Sequence, residues 1–347
     1  MMLKLVQALS NRFLSPARAT ALPIACPHSR CVQASLNPLV IVFCALVASA
    51  PLHAMDVAIL DAPVNEIDKR NDYTNILLTE ILQRTQAKYG AFRVEYAPSY
   101  MYRDRLLTEL KRGVVVNVTA KATRPDWEDS ELLTLRIPVD KGITEYRISL
   151  IRAGDQDKFS RITDIEDLKR LTLGVGHAWS TRQVFQALNF KYEAAADWES
   201  LYKMLVAGRF DYFPRALSEV FVEYDDRKSS FPDMAIENSM LLYFPLPKYF
   251  FVSPQAPRLA ARIDEGFKAM IKDGSFDKLF LKYHQPLIDR ADFCSRRILR
   301  LNNPLLSDKT PLDKPEYWYD PYQKRSGRNT KAGCVTPASA SPAHKRP

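Results

Sequence analysis

The chain contains few of the residue patterns that hold metals, redox centres or nucleotides. Its 347 residues include five cysteines and five histidines, which form no CxxC, no HExxH and no other cluster with metal-ligand spacing. Gly174 and Gly176 follow an apolar run, but Trp179 interrupts the GxGxxG fingerprint of dinucleotide-binding folds. We therefore expect neither a metal site nor a bound cofactor.

Acidic residues are missing from both ends of the chain. Residues 1–54 carry four basic residues and residues 321–347 carry six, with no aspartate or glutamate in either segment. These ends contribute +4 and +6 to the formal net charge of +9, which leaves −1 for the body between them. A nearly neutral body argues against a nucleic-acid-binding domain, which concentrates basic residues on a folded face.

Long hydrophobic runs are also scarce, and the one that stands out lies near the N-terminus. Residues 38–50 (PLVIVFCALVASA) form an uncharged run that is too short to span a bilayer but typical of a signal peptide. Cleavage after Ala54 would make residues 1–54 a leader and release an exported chain that begins at Met55 and is not inserted in the membrane. The basic region before the run is unusually long, so either translation starts downstream or the leader is atypical; an uncleaved membrane anchor is the alternative.

Two cysteines remain after such a cleavage, because Cys26, Cys31 and Cys44 fall in the leader. Cys294 and Cys334 could form one disulfide in an oxidising compartment, which would tether the tail to the body. The sequence leaves open whether they pair.

The region after residue 54 alternates strand-like and helix-like patterns. The first set predicts strands at 57–60, 92–96 and 114–118 and helices at 73–88 and 102–111. A second set predicts strands at 146–151, 173–175 and 210–213 and helices at 163–171, 181–188, 198–206 and 216–224, the first of them opened by a Thr163–Glu166 capping box. This alternation predicts an α/β fold in which each set forms a mainly parallel sheet flanked by helices.

The two sets predict two lobes. The first part of lobe 1 covers residues 55–145 and lobe 2 covers residues 146–245, after which residues 246–300 return to the hinge and to lobe 1. Residues 301–347 are rich in proline, serine and lysine and predict a largely irregular extension that is disordered from about residue 323.

Three motifs carry a family resemblance. Residues 259–284 (LAARIDEGFKAMIKDGSFDKLFLKYH) place an Asp-Gly break between two apolar helical stripes, while residues 207–212 (AGRFDY) and 162–173 (ITDIEDLKRLTL) each lead from a helix into a strand. In their order along the chain, 162–173, 207–212 and 259–284, they resemble bacterial periplasmic solute-binding proteins of the amino-acid ABC-transporter type (family 3, type-2 periplasmic-binding fold). The resemblance covers residues 57–284 and implies two lobes, joined by two hinge strands, that close on a small-molecule ligand. It also implies a monomer that serves an ABC-transporter permease or a membrane sensor.

Two positions depart from the family pattern. The family's Thr-x-x-Arg segment corresponds to residues 119–127 (TAKATRPDW), where Trp127 stands in place of the ligand-gripping arginine and Arg124 lies three residues earlier. The acid that often follows the Gly-Arg-x-Asp strand is replaced by Pro214, Arg215 and Ala216. The usual contacts to an α-amino acid are therefore changed, and the two arginines favour an anionic ligand.

The candidate ligand-binding residues lie where strands lead into helices or loops. Ser180 and Thr181 begin a helix whose free N–H groups suit an anion, although Ser180 could simply cap its own helix. Arg215 follows a predicted strand and could bind a carboxylate, or form a salt bridge with Glu219. The remaining candidates are Arg124 with Thr123, the tryptophans Trp127 and Trp179, which could stack on a ligand or pack at the lobe surface, and His177, Asp61 and Tyr73.

These features predict a periplasmic solute-binding protein that captures a small anionic metabolite, an amino acid or carboxylate, by closing its cleft. Arg124 would act from one lobe and Ser180, Thr181 and Arg215 from the other. One alternative is a periplasmic enzyme on the same fold, similar to cyclohexadienyl dehydratase, in which His177 supplies acid catalysis without an identifiable carboxylate partner. A second alternative is an interaction protein with a degenerate cleft.

Overall fold

The computed structural model describes residues 55–65 and 71–322. The predicted leader, and the tail that the sequence predicts to be disordered, lie outside these ranges. The described elements all belong to the unit formed by residues 53–347. None of the helices in this part of the chain is long and apolar enough to cross a lipid bilayer.

Strands and helices alternate along the described chain. The strands are β1 (Asp56–Leu60), β2 (Phe92–Tyr96), β3 (Val118–Ala122), β4 (Leu133–Leu135), β5 (Tyr146–Arg152), β6 (Thr172–Gly176), β7 (Lys191–Ala195), β8 (Tyr212–Ala216), β9 (Met234–Ile236), β10 (Met240–Tyr243), β11 (Lys248–Val252) and β12 (Arg297–Arg300). The helices are α1 (Asp72–Arg84), α2 (Gln86–Tyr89), α3 (Arg103–Arg112), α4 (Pro125–Glu128), α5 (Gln156–Ser160), α6 (Ile165–Lys169), α7 (Ser180–Ala187), α8 (Trp198–Val206), α9 (Leu217–Arg227), α10 (Pro257–Lys272) and α11 (Ser275–Ala291).

The first lobe is built on β1 to β4 and β11. β1 and β2 pair in parallel, while β11 runs antiparallel between β3 and β4. Asn117, immediately before β3, joins these two parts: its side-chain amide donates to Val57 O at 2.8 Å, and its Oδ1 accepts the N–H of Ile59 at 2.8 Å. The strands therefore lie in the order β2-β1-β3-β11-β4.

The second lobe repeats this order. β7, β6 and β8 are parallel neighbours, and β5 runs antiparallel beside β8, followed by β10 and β12. The order β2-β1-β3 in lobe 1 thus corresponds to β7-β6-β8 in lobe 2. In each lobe the next strand, β11 or β5, is antiparallel and arrives from the other lobe. The chain changes lobe through residues 136–145, the first crossover, and returns through residues 244–247, the second crossover. This shared order confirms the predicted two-lobed α/β fold with a hinge strand entering each lobe.

Apolar clusters cover both faces of each sheet. In the first lobe, α1 and α10 pack on one face, and α3 with Trp127 of α4 packs on the other. In the second lobe, α8 and α9 cover one face and α7 covers the other. α11 joins the lobes, because Phe276 lies in the first-lobe core while Phe280 and Ile288 lie in the second-lobe core. The carboxyl ends of the parallel strands are left to form a site.

The predicted helix pair with an Asp-Gly break is present. α10 ends at Lys272, and Gly274 takes a left-handed conformation with φ 74° that glycine adopts without a steric penalty. α11 then begins at Ser275 and continues past the predicted end to Ala291, with Pro286 inside it.

Two predicted strands are displaced along the chain. The strand predicted at 114–118 runs instead over Val118–Ala122, because Gly113 (φ 70°) ends α3 and Val114 is left 75% exposed before the chain reaches the sheet. The strand predicted at 210–213 runs over Tyr212–Ala216. Arg215 therefore lies inside a strand, not after it.

The predicted capping box is also wrong. The N-cap of α6 is Asp164, whose carboxylate accepts the N–H of Asp167 at 2.9 Å, and the helix spans only Ile165–Lys169. Thr163 instead donates its hydroxyl to the Asp167 carboxylate at 3.3 Å. Aspartate is at least as good an N-cap as threonine, and here the ordinary aspartate cap is the one that forms.

The C-terminal extension, residues 301–322, contacts both crossovers. Asn303 Nδ2 donates to Pro245 O at 2.8 Å, and the N–H of Tyr319 donates to Lys141 O at 2.7 Å. The Tyr319 ring packs against Tyr146 and Phe280. The extension therefore ties the two hinge segments together on one side of the molecule.

One predicted covalent link falls partly outside the described residues. Cys294 is disulfide-bonded. The four other cysteines of the chain lie beyond the described ranges, so the pairing with Cys334 stays a prediction.

A buried histidine makes the stability of the fold depend on pH. His284 of α11 is 6% exposed and packs against Tyr73 and Phe280, and burial lowers its pKa from 6.5 to about 4. Between these values the unfolded chain binds a proton that the folded chain does not, so stability falls as the pH drops from 6.5 to 4. The loss attributable to this group reaches about 3 kcal/mol.

Urea unfolding at pH 7 and pH 4.5 measures this effect. His284→Leu should flatten the pH dependence relative to the wild type, while His177→Gln, a change at an exposed histidine, should leave it unchanged. An identical decline in all three proteins would show that the His284 proton has no part in it.

Candidate functional site

The floor of the cleft in the first lobe is a hydrogen-bonded charge pair at the end of β1. Asp61 is buried and accepts a hydrogen bond from Lys121 Nζ at 2.6 Å and another from the Thr119 hydroxyl. Burial raises the pKa of Asp61, but the attraction and hydrogen bond of Lys121 outweigh this and lower it below the usual value. Asp61 is therefore an ionised carboxylate that already has two hydrogen-bond donors, and its role as a ligand residue stays a prediction.

Lys248 brings a second cation to the same lobe. It is the first residue of β11 and lies opposite Ala122, at the carboxyl end of β3. The side chain is half-buried, and within the described residues its ammonium makes no hydrogen bond and no ion pair. Burial lowers the pKa of Lys248 to about 8 against the attraction of Asp140. At neutral pH this group is mainly protonated.

Arg147 occupies the corresponding place in the second lobe. It lies in β5 opposite Ala216, at the carboxyl end of β8, and is 8% exposed. Its guanidinium carbon lies 5.2 Å from the centroid of the Phe244 ring, and its Nε is buried without a hydrogen-bond partner. Burial lowers the pKa of Arg147 to about 10, although nearby Glu219 raises it. Across the described chain no acceptor lies within hydrogen-bonding distance of this charged group.

The start of α7 adds unpartnered donors at the same edge of the second-lobe sheet. Ser180 and Thr181 are the first two residues of the helix and are buried, and Ser180 Oγ has no hydrogen-bond partner. The helix has no side-chain cap, so its first N–H groups are available to an anion. Phe244, which stacks on Arg147, also packs on Phe185 of α7. Arg147 therefore lies on the α7 face of the sheet, at the edge where α7 begins.

Arg215 does not face the cleft as a free cation. Its Nε and Nη2 donate to the two oxygens of Glu223 at 2.6 and 2.5 Å, and Nη2 lies 2.9 Å from Glu219. The guanidinium also stacks on Trp179, 4.4 Å from the ring centroid. The alternative salt bridge with Glu219 is present and extends to a second carboxylate, Glu223, because Arg215 points from β8 toward α9. The ligand role of Arg215 stays a prediction.

The candidate ligand-binding residues in the loop after β3 also make contacts within the protein. Arg124 pairs with Asp126 through two hydrogen bonds of 2.8 and 2.6 Å. Trp127 is fully buried, with its ring edge-on to Phe251 at 5.1 Å, so it cannot stack on a ligand in this conformation. Thr123 is buried and donates its hydroxyl to Glu128.

Arg124 nevertheless borders an open groove between the lobes. The groove has a volume of about 450 Å³. It is lined by Arg124, Pro125 and Asp126 from α4 and its N-cap, by Gln183, Gln186 and Ala187 from α7, and by Leu305 from the extension. One wall of this groove is formed by α7. A ligand role for Arg124 in the groove stays a prediction.

The remaining candidates are spread over both lobes. Trp179 is half-buried and stacks on Phe213, and His177 is exposed with no carboxylate at its ring within the described chain. Tyr73, on the first turn of α1, is buried with a hydroxyl that lacks a partner, and burial together with Asp140 and Asp277 holds its pKa well above the usual value. Of the sequence candidates, Ser180, Thr181 and Tyr73 best fit a site.

Arg147 and Lys248 are candidate site residues that the sequence pattern did not single out. Each is a single cation at the start of an otherwise apolar run, YRISLI and KYFFV, and each run is a hinge strand. A cation at the first positions of a buried strand was the available signal. In the described ranges no group of three or more histidine, cysteine or carboxylate side chains could hold a metal ion.

Comparison with known proteins gives matches only among solved structures. No protein-family model and no curated protein matches the chain. An ancestral arginine-binding protein bound to glutamine is 17% identical over 67% of this chain and 99% of that one, with a TM-score of 0.48. A Salmonella typhimurium periplasmic binding protein with high arginine specificity is 12% identical over 66% and 99% (TM-score 0.47), and an ancestral amino-acid-binding precursor of cyclohexadienyl dehydratase is 16% identical over 65% and 94% (TM-score 0.46).

These matches are proteins of the kind that the three sequence motifs resemble. The strand order of the chain itself defines the fold, and the unpartnered groups define the candidate site.

Proposed function

We propose that this chain is a periplasmic solute-binding protein that captures a small anionic metabolite, a carboxylate or an amino acid, between its lobes. The observation that carries the proposal is the buried guanidinium of Arg147, which lacks an acceptor at the edge where α7 begins. Leaving a charge buried and unpaired costs several kcal/mol, so such a group is retained where a partner arrives from outside. A carboxylate would receive the Arg147 fork, the Ser180 hydroxyl and the first N–H groups of α7.

Binding in this scheme is coupled to hinge motion. The two lobes are joined by the two crossovers and by α11, so a ligand held on the second lobe can draw the first lobe over it. Closure removes water and strengthens the charged hydrogen bonds. The captured ligand would then be passed to an ABC-transporter permease or reported to a membrane sensor.

A thermal-shift panel tests the proposal directly. Purified protein is screened against short carboxylic acids, amino acids and phosphate esters, each paired with its neutral amide or alcohol analogue. At a hundredfold its Kd, an acid should stabilise the fold by about 2.7 kcal/mol, and its neutral analogue should produce a much smaller shift. Equal shifts from acids and their neutral analogues, or none from any acid, would contradict an anion site.

No observation favours the enzymatic alternative. The exposed ring of His177 has no carboxylate beside it in the described chain, and a catalytic acid needs such a group or an equivalent environment to be positioned and tuned.

A further inference from the structure

The two unpartnered cations are related by the internal repeat of the fold. Arg147 lies opposite Ala216 at the end of β8, and Lys248 lies opposite Ala122 at the end of β3. β8 and β3 are the third strands of their lobes, and β5 and β11 are the antiparallel strands that enter from the other lobe. Each lobe therefore presents one hinge-strand cation at the carboxyl edge of its sheet.

The two cations also lie on corresponding faces. Side chains an even number of residues apart on a strand share a face. Phe250, two residues after Lys248, packs with α1, which follows β1. Ile151, four residues after Arg147, packs with α7, which follows β6. Lys248 thus lies on the α1 face and Arg147 on the α7 face.

Each of these helices begins with a buried hydroxyl that lacks a partner. On α7 this hydroxyl is Ser180 Oγ, and on α1 it is Tyr73 OH. The two residues are 6% and 9% exposed. The same set is therefore built twice: a hinge-strand cation, a helix start and an unused hydroxyl. The two copies differ in chemistry, because Arg147 offers a planar fork and Lys248 a compact ammonium.

Three acids attract Lys248, and all of them have other partners. Glu219 of α9 lies 2.9 Å from Arg215 Nη2. Asp61 is bonded to Lys121 and Thr119, and Asp140 accepts the N–H of Gly142 at 3.2 Å and the Thr144 hydroxyl at 2.9 Å. All three carboxylates raise the pKa of Lys248 by attraction, but none accepts a hydrogen bond from it within the described residues. The three N–H donors of Lys248 are left for a ligand.

Building on the proposed function, we propose that the ligand is a compact diacid that carries two anionic groups, one for each lobe. One group binds Arg147 and Ser180 at the start of α7, and the other binds Lys248 and Tyr73 at the start of α1. A diacid long enough to reach both cations would bridge the two lobes. The contact between its second anionic group and the second cation therefore forms only as the cleft closes. Dicarboxylates and carboxylates with a phosphate share this chemistry.

Isothermal titration calorimetry of a matched series tests this inference. Aliphatic dicarboxylic acids of increasing length, and the corresponding phosphate-bearing monocarboxylic acids, are each compared with the half-amide or the neutral-ended monoacid. The wild type should bind the best-fitting diacid about ten- to a hundredfold more tightly than its half-amide, the value of one or two charge-assisted hydrogen bonds. The series that fits, carboxylate or phosphate, identifies the second group.

Variants of Lys248 separate this inference from the proposed function. Lys248→Met should remove the preference for diacids while monoacid affinity stays within about threefold, and Lys248→Arg should retain most of it. Lys278→Met, at an exposed position of α11, is the matched control and should leave both affinities unchanged.

The outcomes are distinct. Equal affinity for diacids and half-amides in the wild type, or a diacid preference that survives in a folded Lys248→Met variant, would overturn the two-group ligand and leave anion binding at Arg147 standing. Failure of every acid to bind would overturn both.

Discussion

Arg147→Gln is expected to weaken binding of the best acid at least about a hundredfold while leaving the protein as stable as the wild type or more so. A bidentate arginine–carboxylate contact supplies two charge-assisted hydrogen bonds, each worth about 1.5–3 kcal/mol, and each 1.4 kcal/mol is a factor of ten in affinity. In the ligand-free protein the same guanidinium is buried without an acceptor in the described chain, so its removal relieves a desolvation cost. Affinity and stability should therefore change in opposite directions.

Calorimetric titration and urea unfolding of the same preparations measure both quantities. Arg147→Lys, which keeps the charge but loses the fork, should recover part of the affinity. Arg124→Gln is the matched control, because its guanidinium is already paired with Asp126, and we expect a change of less than about threefold. If Arg147→Gln binds normally and Arg124→Gln does not, the anion site belongs at the groove that Arg124 borders.

Arg262→Met is expected to destabilise the first lobe by about 3–5 kcal/mol, the usual cost of breaking a buried ion pair from one side. Arg262 of α10 is 0% exposed and donates to Asp56 at 2.8 Å and to the Thr85 hydroxyl at 3.0 Å. It also donates to the backbone carbonyls of Leu82 at 2.8 Å and Gly90 at 2.9 Å. Removing the guanidinium leaves these acceptors, which lie between α1 and the β1–β2 edge, without their donor.

Arg258→Met provides a control on the same carboxylate. Arg258 also pairs with Asp56, but its side chain is 39% exposed, and exposed pairs contribute about 0–1 kcal/mol. Urea unfolding with an unchanged m-value should show a large shift of the midpoint for Arg262→Met and a small one for Arg258→Met. Equal losses in the two variants would contradict the assignment of Arg262 as the buried link.

The sequence was sufficient for the parts of the fold that depend on local pattern. The apolar stripes and the glycine of residues 259–284 predict α10, the break at Gly274 and the beginning of α11, because helical periodicity and helix stop signals are properties of neighbouring residues. The alternation of strands and helices likewise predicts two α/β lobes. The order of the strands within each sheet does not follow from local pattern and is given only by the strand pairing in the structure.

The site was harder to predict because it depends on strand register. A shift of two residues in β8 moved Arg215 from a loop into the strand, where it pairs with Glu223 on α9. The correspondence with the Thr-x-x-Arg segment placed Trp127 at a ligand-binding position. It could not show that the Trp127 ring packs against Phe251 in the core. The correspondence between Arg147 and Lys248 is visible only in the strand pairing, where each lies opposite an alanine at the carboxyl end of β8 or β3. No pattern of neighbouring residues predicts this pairing.

The most direct test is a structure of the protein in complex with the tightest-binding acid from the panel. The account predicts a carboxylate within hydrogen-bonding distance of both the Arg147 guanidinium and Ser180 Oγ, at the start of α7. An acid bound elsewhere, with Arg147 still buried and without a partner, would contradict it.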